Sequence, residues 1–252
     1  MTEGNTNVII NADAAQTGAA AGERAAEVIR AAIAERGRAR VIFASAPSQQ
    51  EMLDTLIAAE GIDWSKVDAF HMDEYIGLPA EHPQAFGQWL VDRIGHLGLG
   101  SFERLQAADP AGAQAEIARY SELLGQAPID LCCMGIGMNG HIAFNEPGDA
   151  DFETTELVRR ITMDEASRIQ QVEDGCFVDL SEVPTEALSL TVPALVGAGS
   201  VVCTVKGTFK AEAVKAAVTG PVTTDLPASV LQRHPDARIY LDADAASLLE
   251  QA

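Results

Sequence analysis

Ile129-Asp-Leu-Cys-Cys-Met134-Gly-Ile-Gly-Met-Asn139-Gly-His141-Ile-Ala-Phe-Asn-Glu146-Pro-Gly148 is the stretch that decides the fold. Its first six residues form an apolar run that reads as a buried strand, and glycines follow at 135, 137 and 140. A strand that stops in glycines lets the backbone pass close to a ligand with no side chain intervening. Gly137 and Gly140 are therefore candidate ligand contacts. Asn139, His141, Asn145 and Glu146 crowd the same loop. Histidine is the side chain best matched to proton transfer near neutral pH, and a nearby carboxylate can orient it. Taken alone, the loop is also compatible with a polar turn after a buried strand.

A second strand end narrows that choice. Val67-Asp-Ala-Phe-His-Met-Asp73-Glu74-Tyr-Ile-Gly-Leu-Pro79 is again a strand, now ending in two acids and a Gly–Pro turn. In an open parallel sheet, ligands bind outside the carboxyl ends of the strands, so two such ends can face one crevice. A lone Asp–Glu pair would otherwise serve as a helix cap or a solvated turn. Two acid–base loops together favour a site.

Outward from these loops, strand and helix patterns alternate. Strands are predicted at 8–10, 41–44, 67–72, 129–134, 188–191, 201–206 and 238–241. Helices are predicted at 20–36, 49–60, 85–94, 113–124, 209–217 and 243–249. Such alternation gives an α/β fold whose mostly parallel sheet carries helices on both faces. With no internal repeat and no long linker, residues 1–252 read as one domain.

The composition excludes several classes. A formal charge of −20 argues against nucleic acid and against anionic membrane surfaces. No apolar run approaches the roughly 20 residues that a membrane helix needs. The start of the chain carries no basic region followed by an apolar core, so a cytoplasmic location is expected. Cysteines at 132, 133, 176 and 203 lack metal-ligand spacing and read as free thiols.

The two loops, with Lys206-Gly-Thr-Phe-Lys-Ala211 and Pro227-Ala-Ser-Val-Leu-Gln-Arg-His-Pro235, resemble the signatures of glucosamine-6-phosphate deaminase. The likeness runs from about Val41 to about Leu241. The related 6-phosphogluconolactonases share the Gly–His core but usually continue it as Thr-Ala-Ser, unlike the Ile-Ala-Phe-Asn-Glu-Pro present here. The resemblance implies a three-layer Rossmann-like α/β fold. It also implies isomerisation and deamination of a 2-amino-sugar phosphate to a ketose phosphate and ammonia, with no metal or organic cofactor. On the matching positions, His141 would open the sugar ring, Asp73 would carry the proton between C2 and C1, and Glu146 would orient the imidazole. Lys210 would bind phosphate, with Glu74 among the substrate contacts.

Several positions depart from the family pattern. Asn139 stands where aspartate is usual; an amide can hydrogen-bond the imidazole and fix its tautomer but cannot stabilise its charged form. Ala46 and Pro47 replace the expected glycine of the phosphate loop, and Pro47 has no N–H to donate. Ser45 is the candidate contact there, whereas Ser48, followed by Gln-Gln-Glu51, reads either as a helix N-cap in a capping box or as a ligand. The arginine expected around 170–177 is missing, and Arg168 is displaced. Only four lysines exist, so positive charge for an anionic substrate has to be local. Lys210, in the first turn of its helix, opposes the macrodipole, which a bound anion would explain. Two classes stay open: an enzyme, with a lactonase as the runner-up to the deaminase, or a sugar-phosphate sensor without turnover. Asp73 and His141 favour the enzyme, since binding alone needs neither. The expected partner is a small sugar phosphate, and self-association into a homo-oligomer stays open.

Overall fold

The computed structural model of the chain describes residues 7–163, 165–173 and 176–249. Seven parallel strands form the main sheet: β1 (Asn7–Asn11), β2 (Ala39–Phe43), β3 (Val67–His71), β5 (Ser101–Glu103), β6 (Leu131–Met134), β9 (Ser200–Val205) and β10 (Ala237–Asp242). Their order is β1-β10-β9-β6-β2-β3-β5. The chain runs outward from β2 through β3 to β5, then returns to lay β6 on the other side of β2. That reversal is a topological switch point, where the carboxyl ends of β2 and β6 open a crevice. The strands end level there, with Phe43 beside both His71 and Cys133.

The central strands are buried on both faces, as their largely apolar sequences require. Ile42, Cys132 and Met134 enter one core, while Val41, Phe43, Leu131 and Cys133 enter the other. The second core is covered by α1 (Ala14–Arg36), α2 (Gln50–Ala58) and α3 (Phe86–Ile94). Opposite lie α4 (Ala113–Gly125), α6 (Val192–Val196) and α7 (Ala211–Thr219). Helix α1 starts six residues before the predicted Ala20, because the Asp13 carboxylate accepts the Gln16 N–H at 2.8 Å. Asp13-Ala-Ala-Gln16 is a capping-box spacing that marks this start in the sequence. Gly22 lets α1 approach α2 closely, since a Cβ there would sit 2.6 Å from Thr55.

A second, antiparallel sheet was not anticipated. Its strands are β4 (Asp73–Tyr75), β8 (Glu186–Leu190) and β7 (Val158–Thr162), in the order β4-β8-β7. The predicted strand 67–72 therefore continues, after Met72, into a different sheet. One face of the small sheet joins the main core through Val158, Leu188 and Leu190. Tyr75, Ile161 and Ala187 form a separate cluster with Met163, Phe177 and Val183, beside α5 (Glu165–Glu173). The predicted helix over 243–249 is a series of turns instead. The Asp242 carboxylate caps the first turn by accepting the Ala245 N–H at 2.7 Å, but the bonds that follow, from the Ser247 N–H to the Asp244 carbonyl and from the Leu249 N–H to the Ala246 carbonyl, are of the tighter i to i+3 kind. No described helix is long and apolar enough to cross a membrane.

Candidate active site

The loop after β6 brings three of the predicted residues into direct contact. The Asn139 amide donates to Glu146 Oε2 at 2.6 Å, and Asn139 Oδ1 accepts the backbone N–H of His141 at 3.1 Å. His141 Nδ1 lies 3.2 Å from Glu146 Oε1. The ring N–H direction misses that oxygen, so the contact is electrostatic and not an aligned hydrogen bond. The expectation that Asn139 holds the imidazole itself is corrected: it holds the backbone of His141 and the carboxylate beside the ring.

The two glycines make this arrangement possible. A Cβ on Gly137 would lie 2.3 Å from the His141 ring, so the imidazole rests on bare backbone. Gly140 has φ +87°, and a Cβ there would collide with Leu226. Both glycines thus serve the loop's own packing, whatever else approaches them. Asn145 is buried and donates to the carbonyls of Ile142 and Leu190, both at 2.9 Å. The Phe144 N–H donates to Ser189 Oγ at 3.1 Å, and Ser189 is the residue directly opposite Asp73 in the β4–β8 pair. The histidine loop and the Asp73 strand are therefore fastened to one another. Arg159 adds a clamp that sequence reasoning missed, donating to the Asp149 carboxylate at 2.7 Å and the Asp149 carbonyl at 2.9 Å.

Asp73 keeps part of its surface open to solvent although protein surrounds it closely. Burial, and then the charge of Glu74, push its carboxyl up to about 7. Glu74 points elsewhere. Successive side chains of a strand leave opposite faces, and Glu74 is buried against the start of α3. It accepts the N–H groups of Tyr75, Phe86 and Gly87 at 3.0, 3.1 and 2.8 Å. Its expected role as a substrate contact is thus corrected to that of an internal helix cap.

At the ends of β2 and β9 the predicted phosphate residues are arranged unevenly. Ser48 is not the N-cap of α2: it lies within the 3-10 turn Pro47–Gln49, and Pro47 shifts the start of the helix proper to Gln50. Its Oγ accepts from Gln49 Nε2 at 3.3 Å. Gln49, which the capping-box pattern concealed, is fully buried and also reaches the carbonyls of Met134 and Thr204 at 3.2 and 3.4 Å. One side chain thereby ties together the ends of β2, β6 and β9. The Ser45 hydroxyl is buried here without a hydrogen-bond partner among the described residues.

Lysines 206 and 210 have separate fates. Lys206 is paired with Glu51 at 2.6 Å. Lys210 closes the 3-10 turn Thr208–Lys210 at the N-terminus of α7, with its ammonium 5.5 Å from the centre of the Phe209 ring. Burial lowers its pKa, and no ion pair among the described residues offsets the cost. The turn is set by Gly207, at φ +91°, whose N–H donates to the Asp242 carboxylate at 3.0 Å. Arg168 is spent on the carbonyls of Leu180 and Val183, at 2.7 and 2.9 Å. Among the described residues no cluster of three or more His, Cys, Asp or Glu side chains has the arrangement to hold a metal ion.

Residues 12–240 match the sequence profile of the glucosamine-6-phosphate isomerases/6-phosphogluconolactonase family. The chain belongs to this family. It is 34% identical over 232 residues to a glucosamine-6-phosphate deaminase of Streptococcus pneumoniae (strain Hungary19A-6), covering 91% of this chain and 95% of the relative. The protein of strain 70585, with the same name, is 36% identical over 197 residues, 77% of this chain and 81% of its own. Among solved structures, a monomeric glucosamine-6-phosphate deaminase superposes with a TM-score of 0.85 at 26% identity, covering 96% of this chain and all of the other. A 6-phosphogluconolactonase from Shewanella baltica gives 0.76 at 17% identity, covering 95% and 98%, and shares the fold.

Proposed function

We propose that this chain deaminates and isomerises a 2-amino-sugar 6-phosphate, of the glucosamine type, to the ketose phosphate and ammonia. The observation that carries the reading is the fastening of the His141–Glu146 loop to the Asp73 strand at one end of the sheet. Proton transfer between neighbouring sugar carbons needs a base that is active near neutral pH, and a carboxyl raised to about 7 is suited to it. Asp73 takes the proton from C2 and returns it to C1. His141 moves a proton to and from the ring oxygen as the pyranose opens, with the Glu146 carboxylate beside its ring at 3.2 Å. The substrate's own amine and carbonyl form the enolamine, so the residues have only to bind, orient and move protons. Water then displaces ammonia from C2.

Lys210 supports the phosphate half of the reading. A partly buried ammonium at a helix N-terminus is unfavourable on its own and becomes favourable when an anion shares the site. Phosphate would lie between it and the Ser45–Ser48 turn. The lactonase alternative keeps the fold but has no use for a C2 base.

The test is ammonia and ketose release from glucosamine 6-phosphate and its epimers, together with solvent-deuterium exchange at the substrate carbon. Asp73→Asn is expected to abolish both exchange and turnover while still binding the sugar phosphate. Exchange at the wild-type rate in that variant would remove Asp73 from the chemistry.

A further inference from the structure

Glu74 is a buried acid that the proposed reaction does not consume. Helix α3 begins at Phe86 after Ala85, a residue whose side chain cannot cap it. The first helical N–H groups would be left without partners. Glu74 supplies the cap from another element, accepting from Phe86 and Gly87 with one carboxylate and from its own neighbour Tyr75 as well. The guanidinium of Arg104 lies on the other side of Gly87, where a Cβ would be 2.7 Å from its Nε. Arg104 in turn donates to the Ala80 carbonyl. Glu74 is thus held in one place by a helix start, its own strand and a nearby cation.

We propose that Glu74 is a positioning residue for the reaction: by capping α3 from β4 it fixes the direction of Asp73, and its buried negative charge strengthens Asp73 as a proton acceptor. This rests on the reading of Asp73 as the base. Burial raises both carboxyls, to about 7 in each case, but only Glu74 has hydrogen-bond donors and a cation to offset it. The charge of Glu74 then raises the Asp73 carboxyl further. Of the other ionisable groups packed round the strand, Arg159 on β7 stands opposite Ser189 and is paired with Asp149, and Arg160 is paired with Glu186 of β8. His71 on β3 is buried and pushed down to about 3, with its Nε2 accepting the Leu105 N–H at 2.8 Å. Burial pushes the Tyr75 phenol up, and it bonds Gln171 at 3.1 Å. Cys176 acts on Tyr75, and Ser189 faces Asp73 from β8.

The experiment is the pH profile of kcat at saturating glucosamine 6-phosphate for the full chain, compared with Glu74→Gln and Arg104→Met. In Glu74→Gln the acid limb is expected to move down by about one pH unit, because Asp73 becomes a weaker base. In Arg104→Met it is expected to move up, since the charge of Glu74 is then less offset. A purely structural cap would lower kcat equally at every pH and leave both limbs in place, which overturns the proposal. Should Glu74→Gln fail to fold, the Arg104→Met limb decides alone: an upward move supports the inference and an unmoved limb refutes it. Asp73→Asn separates the two levels. If it still exchanges the C2 proton, the underlying reading fails; if it is inert but the two limbs stay in place, only the role of Glu74 fails.

Discussion

Asn139 shows how far a single amide can be redeployed. From its place two residues before His141, it would be expected to touch the imidazole. In the structure it instead donates to Glu146 and accepts from the His141 backbone, so it orients the acid that faces the ring. Replacing it with the aspartate usual in the family would exchange a donor for an acceptor at 2.6 Å from a carboxylate. Two facing carboxylates repel or share a proton, and either outcome weakens the partner of His141. Asn139→Asp is therefore expected to lower kcat at neutral pH, by about tenfold for a lost charge-assisted hydrogen bond. A rise in kcat would show that Glu146 and position 139 do not act together. The residue types at 73, 139, 141 and 146 were legible in the sequence. The direction of each side chain was not, because a loop's hydrogen bonds depend on which strand it meets.

Among the elements, the turn from β9 into α7 does the most with least. Gly207 bends left-handed, Asp242 from the end of β10 holds its N–H, and Lys210 arrives at the first turn of α7. Lys210→Ala is expected to raise KM for a phosphorylated amino sugar by about tenfold or more, the worth of a charge-assisted contact, with little change for the unphosphorylated sugar. Asp242→Ala keeps the lysine but frees the turn, so it should raise KM in the same selective way and also lower thermal stability. Equal losses on both sugars would mean that Lys210 meets no phosphate. The sequence contained Lys210 and the Gly207 turn, and periodicity located the flanking strand and helix. It placed a helix after Asp242, where the Asp242 carboxylate and a series of turns stand instead. Capping by a side chain from 35 residues away leaves no local signal.

For the whole molecule, charge sets the conditions. A net charge of −20 makes the folded chain repel itself, and lowering the pH relieves that repulsion. Asp73 and Glu74 act in the same direction. Their folded pKa values lie above the unfolded ones, so the penalty for ionising them grows as pH rises from about 4 to about 7 and is absent below that window. Asp68 acts in the opposite sense, because its hydrogen bond with Arg38 depresses its pKa, and its contribution is lost only as pH falls below the ordinary aspartate range. The melting temperature is thus expected to be higher at pH 6 than at pH 8 and to fall again below about pH 4. Added salt should narrow the first difference, since it screens the surface charge but not the buried pair. A melting temperature that rises steadily from pH 6 to pH 8 would contradict this account.

What the sequence determined by itself was the position of most of the main-sheet strands and the chemistry of the loops. Apolar runs such as Ile129–Met134 and Val41–Phe43 must be buried on both faces, and only a parallel sheet between helix layers does that. Glycines and acid–base residues at the strand ends then fall on one edge by topology. Tertiary structure alone decided which of those residues face one another. The antiparallel sheet β4-β8-β7 joins β4 to segments more than 80 residues further along the chain, and although a strand over 188–191 was legible, the three-residue β4 and its pairing with β8 and β7 were not. That sheet turns Glu74 to the start of α3 and leaves Asp73 on the opposite face, paired with Ser189, a division that the adjacent pair Asp-Glu cannot express in one dimension. Gln49 is a further case, since its burial comes from three strand ends that meet only after the sheet has formed.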